Sequence, residues 1–312
     1  MTSFAFVFPG QGSQAVGMLD AWGDNAAVRD TLAEASDALG EDIARLIQSG
    51  PKEQLDLTTN TQPVMLTAGI ACYRAWLAET GLRPAVAAGH SLGEYSALVA
   101  AGMLTLADAL PLVRFRAQAM QDAVPVGTGA MAAILGMDAE AVRIGCAEVA
   151  AASGEVVEAV NFNDPKQTVI AGSKAGVEKA CEVLKAKGAK RALPLPVSAP
   201  FHSSLMRPAA ERLKDRLAAV AIHAAVFPVV NNVDVAVETE AAAVRDALYR
   251  QAFAPVRWVE TVQALRLRGV RPVIECGPGK VLAGMVKRID AELMSAAVFD
   301  PASLADAKGL LS

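Results

Sequence analysis

The sequence predicts an α/β protein: a large domain built round a mainly parallel sheet, with a small ferredoxin-like βαββαβ domain inserted into it. Three observations carry this expectation. A chain of 312 residues exceeds the usual size of a single core. Short apolar runs alternate with helical patterns along most of it, the pattern of parallel strands joined by crossover helices. Between residues 128 and 196 the order changes to strand, helix, strand, strand, helix, strand. The expected division is a large domain of residues 1–127 and 197–312 and a small domain of residues 128–196.

Residues 4–8 read as a first strand, ended by Pro9-Gly10-Gln11-Gly12-Ser13-Gln14, a composition suited to a tight loop. Helical patterns follow over residues 25–39 and 41–48. Asn60 or Thr61 is placed to cap a long helix that carries Pro63 near its first turn and ends at Gly81. That helix is apolar nearly all round and should be buried. Residues 85–89 read as a buried strand, residues 91–102 as the helix after it, and residues 105–122 as a further helix with an apolar line through Leu106, Leu110, Val113, Ala117 and Met120.

In the small domain, strands are expected at residues 130–136, 156–162, 168–171 and 190–195, with helices at 138–150 and 174–185. Asn163-Asp164-Pro165 is the expected turn of the central hairpin. The chain then returns to the large domain with a helix near 203–218, a strand at 227–230, helices near 241–251 and 258–267, and a strand at 272–275.

Composition narrows the function. Hydrophobic residues make up 53% and charged residues 20%, ordinary for a sheet covered on both faces. Apolar stretches such as residues 63–72 fall short of the ~18 residues that span a bilayer. The first residues look like a strand rather than a signal peptide, so the cytoplasm is the expected location. A formal charge of −4 without a long basic run gives no footprint for nucleic acid. Cys72, Cys146, Cys181 and Cys276 are far apart and form no C-x-x-C pair, so they read as reduced core thiols and no metal site is expected.

Gly89-His90-Ser91-Leu92-Gly93 matches G-x-S-x-G between an expected strand and an expected helix, the context of a nucleophile elbow. Glycines on both sides allow a sharp turn that lifts the hydroxyl from the sheet, where helix N-terminal amides can stabilise an oxyanion. On the pentapeptide alone, a serine that merely caps the helix fits as well. A serine nucleophile needs a base, and the chain has three histidines. His90 adjoins the nucleophile and should pack or bond locally; His223 has no supporting motif. His202 follows a proline-bounded loop where the small domain rejoins the large one, and is the candidate base. No acidic partner stands out for it, but a backbone carbonyl can hold the other ring nitrogen.

Three segments together carry a resemblance: Phe8-Pro9-Gly10-Gln11-Gly12-Ser13-Gln14, Gly89-His90-Ser91-Leu92-Gly93-Glu94-Tyr95, and Pro200-Phe201-His202. The chain resembles the malonyl-CoA:acyl carrier protein transacylases of fatty acid synthesis and the related acyltransferase domains of polyketide synthases. Asn60-Thr61-Gln62-Pro63, Pro228-Val229-Val230-Asn231-Asn232 and Glu275-Cys276-Gly277-Pro278-Gly279-Lys280 extend the likeness over nearly the whole length. The resemblance implies a hydrolase-like large domain with a ferredoxin-like subdomain. It implies Ser91 as nucleophile, His202 as base, the N–H groups of Gln11 and Leu92 as oxyanion hole, and the carbonyl of Gln251 as the support of the imidazole.

It also implies malonyl-CoA as substrate, free CoA as product, no bound cofactor, and an acyl carrier protein as partner of a chain expected to act as a monomer. A malonyl carboxylate calls for a buried guanidinium. Arg114 and Arg116 flank the apolar stripe of their helix on opposite sides, so periodicity leaves the choice open; the family spacing Val-x-x-Arg-x-x-x-Met selects Arg116, with Val113 and Met120 in place. Phe201 is similar to the residue that crowds a methyl branch in malonyl-selecting relatives. For docking an acidic carrier, the dibasic pairs Lys190-Arg191 and Lys287-Arg288 are the candidates.

Overall fold

The computed structural model describes residues 3–197 and 199–311. Ser198 of the loop before His202, and residues 1–2 and 312 of the expected large domain, lie outside the described residues. The strands are β1 (Ala5–Phe8), β2 (Val86–Gly89), β3 (Gly129–Leu135), β4 (Val157–Asp164), β5 (Gln167–Ser173), β6 (Arg191–Pro194), β7 (Val229–Val230), β8 (Pro272–Cys276) and β9 (Met294–Val298). They form a five-stranded sheet, β7-β2-β1-β8-β9, whose pairs are all parallel, and a four-stranded antiparallel sheet, β4-β5-β3-β6.

Strand β1 lies at the centre of the parallel sheet because it buries both of its faces. Phe4, Phe6 and Phe8 point to one side, where Phe6 meets Tyr73 and Trp76 of the Thr58–Thr80 helix edge-on, with ring centroids 5.9 and 5.4 Å apart. Ala5 and Val7 point to the other, against Val86, Trp258 and Val273. Each buried phenylalanine is worth roughly 1.5–3 kcal/mol over an exposed one. The sheet's order places the C-terminal ends of β1, β2 and β8 side by side, and the loops that leave them build the site.

The antiparallel sheet carries the Ala139–Ser153 and Lys174–Ala186 helices on one face, packed through Val142, Cys146 and Leu184 onto Ala132 and Ile134. Its other face, with Met131, Ala133 and Val169, meets Met120 and Phe201 of the large unit. The backbone ties the two units as well: Val256 N–H donates to Val160 O at 2.8 Å, and Phe162 N–H donates to Val256 O at 3.0 Å. Arg288 Nε donates to Asp164 Oδ2 at 2.7 Å across the same seam.

Several elements differ from the expectation. The long helix starts at Thr58, with Leu57 at its N-cap, so Pro63 lies in the second turn. Asn60 and Thr61 instead turn their side chains onto the carbonyls of Gln54 and of Leu55 and Leu57. Asn163 and Asp164 belong to β4, and the hairpin turns on Pro165 and Lys166. The helix after Ser91 starts at Gly93, because Ser91 has a left-handed backbone. Beyond Glu275 the sequence pattern raised no expectation, yet a helix over Val281–Ile289, the edge strand β9 and a helix over Pro301–Gly309 are present. In β9 the residues are Met-Ser-Ala-Ala-Val, with one β-branched side chain, and sheet position rather than propensity makes it a strand.

No helix among the described residues is long and apolar enough to cross a membrane. Of the four thiols, Cys72, Cys146 and Cys276 are buried, whereas Cys181 is only half-buried and so not a full core residue. The seam between the units gives a first prediction. Arg288→Ala strands the buried Asp164 carboxylate and should lower the unfolding free energy by about 1–3 kcal/mol, whereas Lys287→Ala beside it should change it by less than about 0.5 kcal/mol. Urea denaturation of the two variants measures the difference.

Candidate active site

The elbow at the end of β2 exists because two of its residues have no side chain. A Cβ on Gly89 would lie 1.9 Å from the Gly93 backbone, and a Cβ on Gly93 would lie 2.0 Å from the carbonyl oxygen of Phe8 at the end of β1. Between them Ser91 adopts φ +54°, a region that non-glycine residues rarely use. Asn232 holds this strained turn from the loop after β7. Its Oδ1 accepts the Ser91 N–H at 2.7 Å and its Nδ2 donates to Gly89 O at 2.7 Å.

Ser91 Oγ lies 2.6 Å from His202 Nε2. The other ring nitrogen, Nδ1, lies 2.9 Å from Gln251 O. A carbonyl can only accept, so Nδ1 carries the proton and Nε2 is left with a lone pair facing the serine hydroxyl. His202 is 3% exposed and also has a left-handed backbone, φ +64°. Burial first, and the nearby Arg116 charge second, push its pKa down to about 3, so the imidazole is neutral and able to take a proton.

Arg116 and Arg114, two residues apart, go to different places. Arg114 donates both Nη atoms to the Glu41 carboxylate at 2.8 Å on the surface. Arg116 is 2% exposed, and its partners are neutral: Nη1 donates to Gln62 Oε1 at 2.8 Å and Nη2 to Gln251 Oε1 at 3.0 Å. The same Nη2 stands 3.4 Å from Ser91 Oγ, and the guanidinium carbon 5.5 Å from the Tyr95 ring centroid. A buried cation beside the serine, with neutral partners, is suited to an incoming anion.

The loop after β1 lies against the elbow, since a Cβ on Gly10 would come within 2.7 Å of His90 O. Gln11 stands on this loop and Leu92 at the N-cap of the Gly93–Ala100 helix. Neither of their backbone N–H groups donates to a protein acceptor among the described residues. The Gln11 side chain accepts from Gln62 Nε2 at 3.2 Å. Phe201, next to His202 in sequence, is buried with Met120, Met131 and Val160. His90 does not bond locally: its Nε2 reaches Asn163 Oδ1 on β4 at 2.8 Å, and its ring packs on Trp258. His223 is exposed on a surface loop.

The acyl transferase domain model matches residues 5–301. The chain belongs to the acyl transferase family. It is 54% identical over 308 residues to the malonyl CoA-acyl carrier protein transacylase of Escherichia coli (strain K12), covering 98% of this chain and 99% of its relative. Its structure is similar to an acyl-carrier-protein S-malonyltransferase from Burkholderia pseudomallei 1710b, with a TM-score of 0.96 at 67% identity over 98% and 99% of the two chains. It is also similar to a malonyl-transacylase solved in complex with a type II polyketide synthase acyl-carrier protein, with a TM-score of 0.96 at 51% identity, 98% and 99% being covered.

Four groups of this acyl transferase site carried no role in the sequence reading: Gln62, Glu94, Asn232 and the side chain of Gln251. Gln62 and Glu94 are long polar side chains set within two mostly buried helices, and both are buried. That pattern is the available signal, because a buried amide or carboxylate must find partners. The surface cations also separate. Lys190, Arg191, Lys287 and Arg288 are all exposed, and Arg288 is in addition tied to Asp164. Register places Arg191, Leu135, Gln167 and Asp164 in one row across the small sheet, so the two basic pairs flank one rim about 14 Å long.

Asn232 gives the second prediction. Asn232→Ala removes both side-chain bonds that hold the elbow, and should cost about 1–3 kcal/mol of stability and reduce kcat by roughly 10–100-fold. Thermal unfolding and acyl transfer assays on one preparation check both, and unchanged turnover would show that the turn holds itself.

Proposed function

We propose that this acyl transferase moves the malonyl group of malonyl-CoA to the pantetheine thiol of an acyl carrier protein through an ester on Ser91, for fatty acid biosynthesis. One observation carries the reading: the same Ser91 Oγ stands 2.6 Å from a neutral imidazole nitrogen and 3.4 Å from a buried guanidinium. That arrangement offers a nucleophile, a base and an anion clamp at one point.

In the first half-reaction His202 Nε2 takes the Ser91 proton as the oxygen attacks the thioester carbonyl. The N–H groups of Gln11 and Leu92 receive the oxyanion. Collapse breaks the C–S bond, and His202 returns its proton to the departing thiol of coenzyme A. The carrier's pantetheine thiol then gives its proton to His202, attacks the ester, and leaves Ser91 protonated as before. Every role in this scheme falls to a protein group: Arg116 holds the malonyl carboxylate, Gln251 O supports the imidazolium, and Phe201 crowds a methyl branch.

The low basicity of His202 before loading supports the order of events. Arg116 is the second of the three causes that depress it, after burial and ahead of His90. A malonyl carboxylate on Arg116 cancels that cause, so the imidazole becomes a better base once the correct acyl group is in place. Residues 1–127 and 197–312 act as the catalytic unit in this reading, with residues 128–196 as the small subdomain. Docking of the acidic carrier is assigned to Lys190, Arg191 and Lys287, with Arg288 serving mainly as the tie to Asp164. The protein works as a single chain in the cytoplasm.

Incubation with malonyl-CoA should add one malonyl group, mapped to Ser91 by intact mass and peptide digestion. Ser91→Ala should add none, and His202→Ala should slow loading by about 10²–10⁴-fold. Free malonate released equally fast with and without carrier would make the protein a hydrolase instead.

A further inference from the structure

Glu94 is a buried carboxylate that the transfer scheme leaves without a task. It sits in the first turn of the Gly93–Ala100 helix and is 2% exposed. Its Oε2 accepts the Asn232 N–H at 2.9 Å and Gln251 Nε2–H at 3.0 Å. The Oε1 of that same Gln251 amide accepts from Arg116 Nη2 at 3.0 Å. One neutral amide thus joins a buried cation to a buried anion, and Gln251 Nε2 also donates to Ser91 O at 3.0 Å, directly beneath the nucleophile.

Before loading, the guanidinium and the carboxylate balance each other through Gln251. A malonyl ester on Ser91 places a second carboxylate at Arg116, leaving one cation and two anions in a region where charges are felt far more strongly than in water. We infer that Glu94 takes up a proton when the malonyl group is loaded, which restores the charge balance and couples the loading equilibrium to pH. This inference rests on the reading of Ser91 and Arg116 given under Proposed function.

The groups around Glu94 fit that role. Burial pushes its carboxyl up to about 7, against the lowering effects of Gln251, Asn232 and Arg116, while Asp234 on the neighbouring loop adds to the rise. A malonyl carboxylate on Arg116 offsets the one charged group that favours ionised Glu94. Glu238 lines the same cavity of about 10 Å³ as Glu94 and is a further acidic neighbour. Neighbouring groups do not exchange protons near neutrality: burial pushes the Tyr95 hydroxyl up to about 12 and His202 down to about 3, and Arg116 stays charged.

Loading raises the Glu94 pKa, so the malonyl-enzyme binds more protons than the free enzyme. The loading constant should therefore be highest in acid and fall by up to about tenfold per pH unit as pH rises above 7, until the raised pKa of the loaded state is passed. The transfer step itself is proton-neutral, because the Ser91 proton leaves on the coenzyme A thiol, which keeps it below a pKa of about 8.5.

The full chain is mixed with malonyl-CoA at about pH 7.5 in weak buffer with a pH indicator, and the ester formed is counted by intact mass. A carboxyl titrating at about 7 is about one-quarter protonated at that pH, so the expected result is uptake of up to about 0.75 proton per ester. Glu94→Gln, whose amide oxygen can accept the same two N–H groups, should load without uptake. Full loading of the wild type with no proton taken up would overturn the inference, and so would unchanged uptake in the glutamine variant. Absence of an ester on Ser91 would overturn the nucleophile reading and this inference with it, and the mass measurement tells that case apart.

Discussion

The site is organised by the need to hold one full positive charge almost completely out of water. Arg116 is buried among neutral partners drawn from distant parts of the chain: Gln62 from the long Thr58–Thr80 helix and Gln251 from the end of the Ala241–Gln251 helix. A guanidinium joined to the Glu94 carboxylate only through the Gln251 amide is costly in such a place, and a fold keeps it only if the neighbours are fixed and the charge has a use. Gln251 does most of the fixing. Its backbone carbonyl sets the His202 tautomer, while its side chain binds Arg116, Glu94 and the Ser91 carbonyl. His202, Arg116 and Ser91 therefore share one residue as partner, and displacement of any of them is felt by the others.

Around this charge the backbone is strained where the chemistry needs it. Ser91 and His202 both occupy the left-handed region, at φ +54° and +64°. Such conformations persist when the surroundings over-determine them. Asn232 does so for Ser91, and the Gln251 carbonyl does so for the His202 ring. Among the described residues Val235 is the third non-glycine residue with positive φ, and it lies in the turn that carries Asn232. Strain in that turn and strain in the elbow are thus joined through one amide. The small subdomain completes the wall, with Met131 and Val160 packed against Phe201.

Much of this was legible in the sequence where the deciding interactions are local. The βαββαβ order, the strand at β1 and the G-x-S-x-G elbow follow from periodicity and turn residues within a few positions of one another. The His202 ring could be singled out because few histidines compete with it. What depends on distant contacts was not legible. Arg114 and Arg116 flank the same stripe, and only the position of Glu41 and of Gln62 in space separates them. Glu94 and Gln62 read as ordinary helix residues until their partners are known. The hairpin turn moved to Pro165 and Lys166 because Asn163 and Asp164 are held in β4 by His90 and Arg288 across the seam. Within residues 281–309 the Val281–Ile289 helix does carry an amphipathic line through Leu282, Met285 and Val286 that the sequence reading passed over, whereas β9, built mostly of small residues, takes its form from the sheet edge.

On the proposed reading, the buried guanidinium selects the acyl group by its carboxylate. The direct test is the ratio of kcat/KM for malonyl-CoA to that for acetyl-CoA, measured in the wild type and in Arg116→Ala. Loss of a desolvated ion pair should collapse the ratio by roughly 10²–10³-fold, with acetyl transfer falling much less. A ratio that stays the same while both activities fall together would contradict the claim, and would make Arg116 a structural prop for the serine.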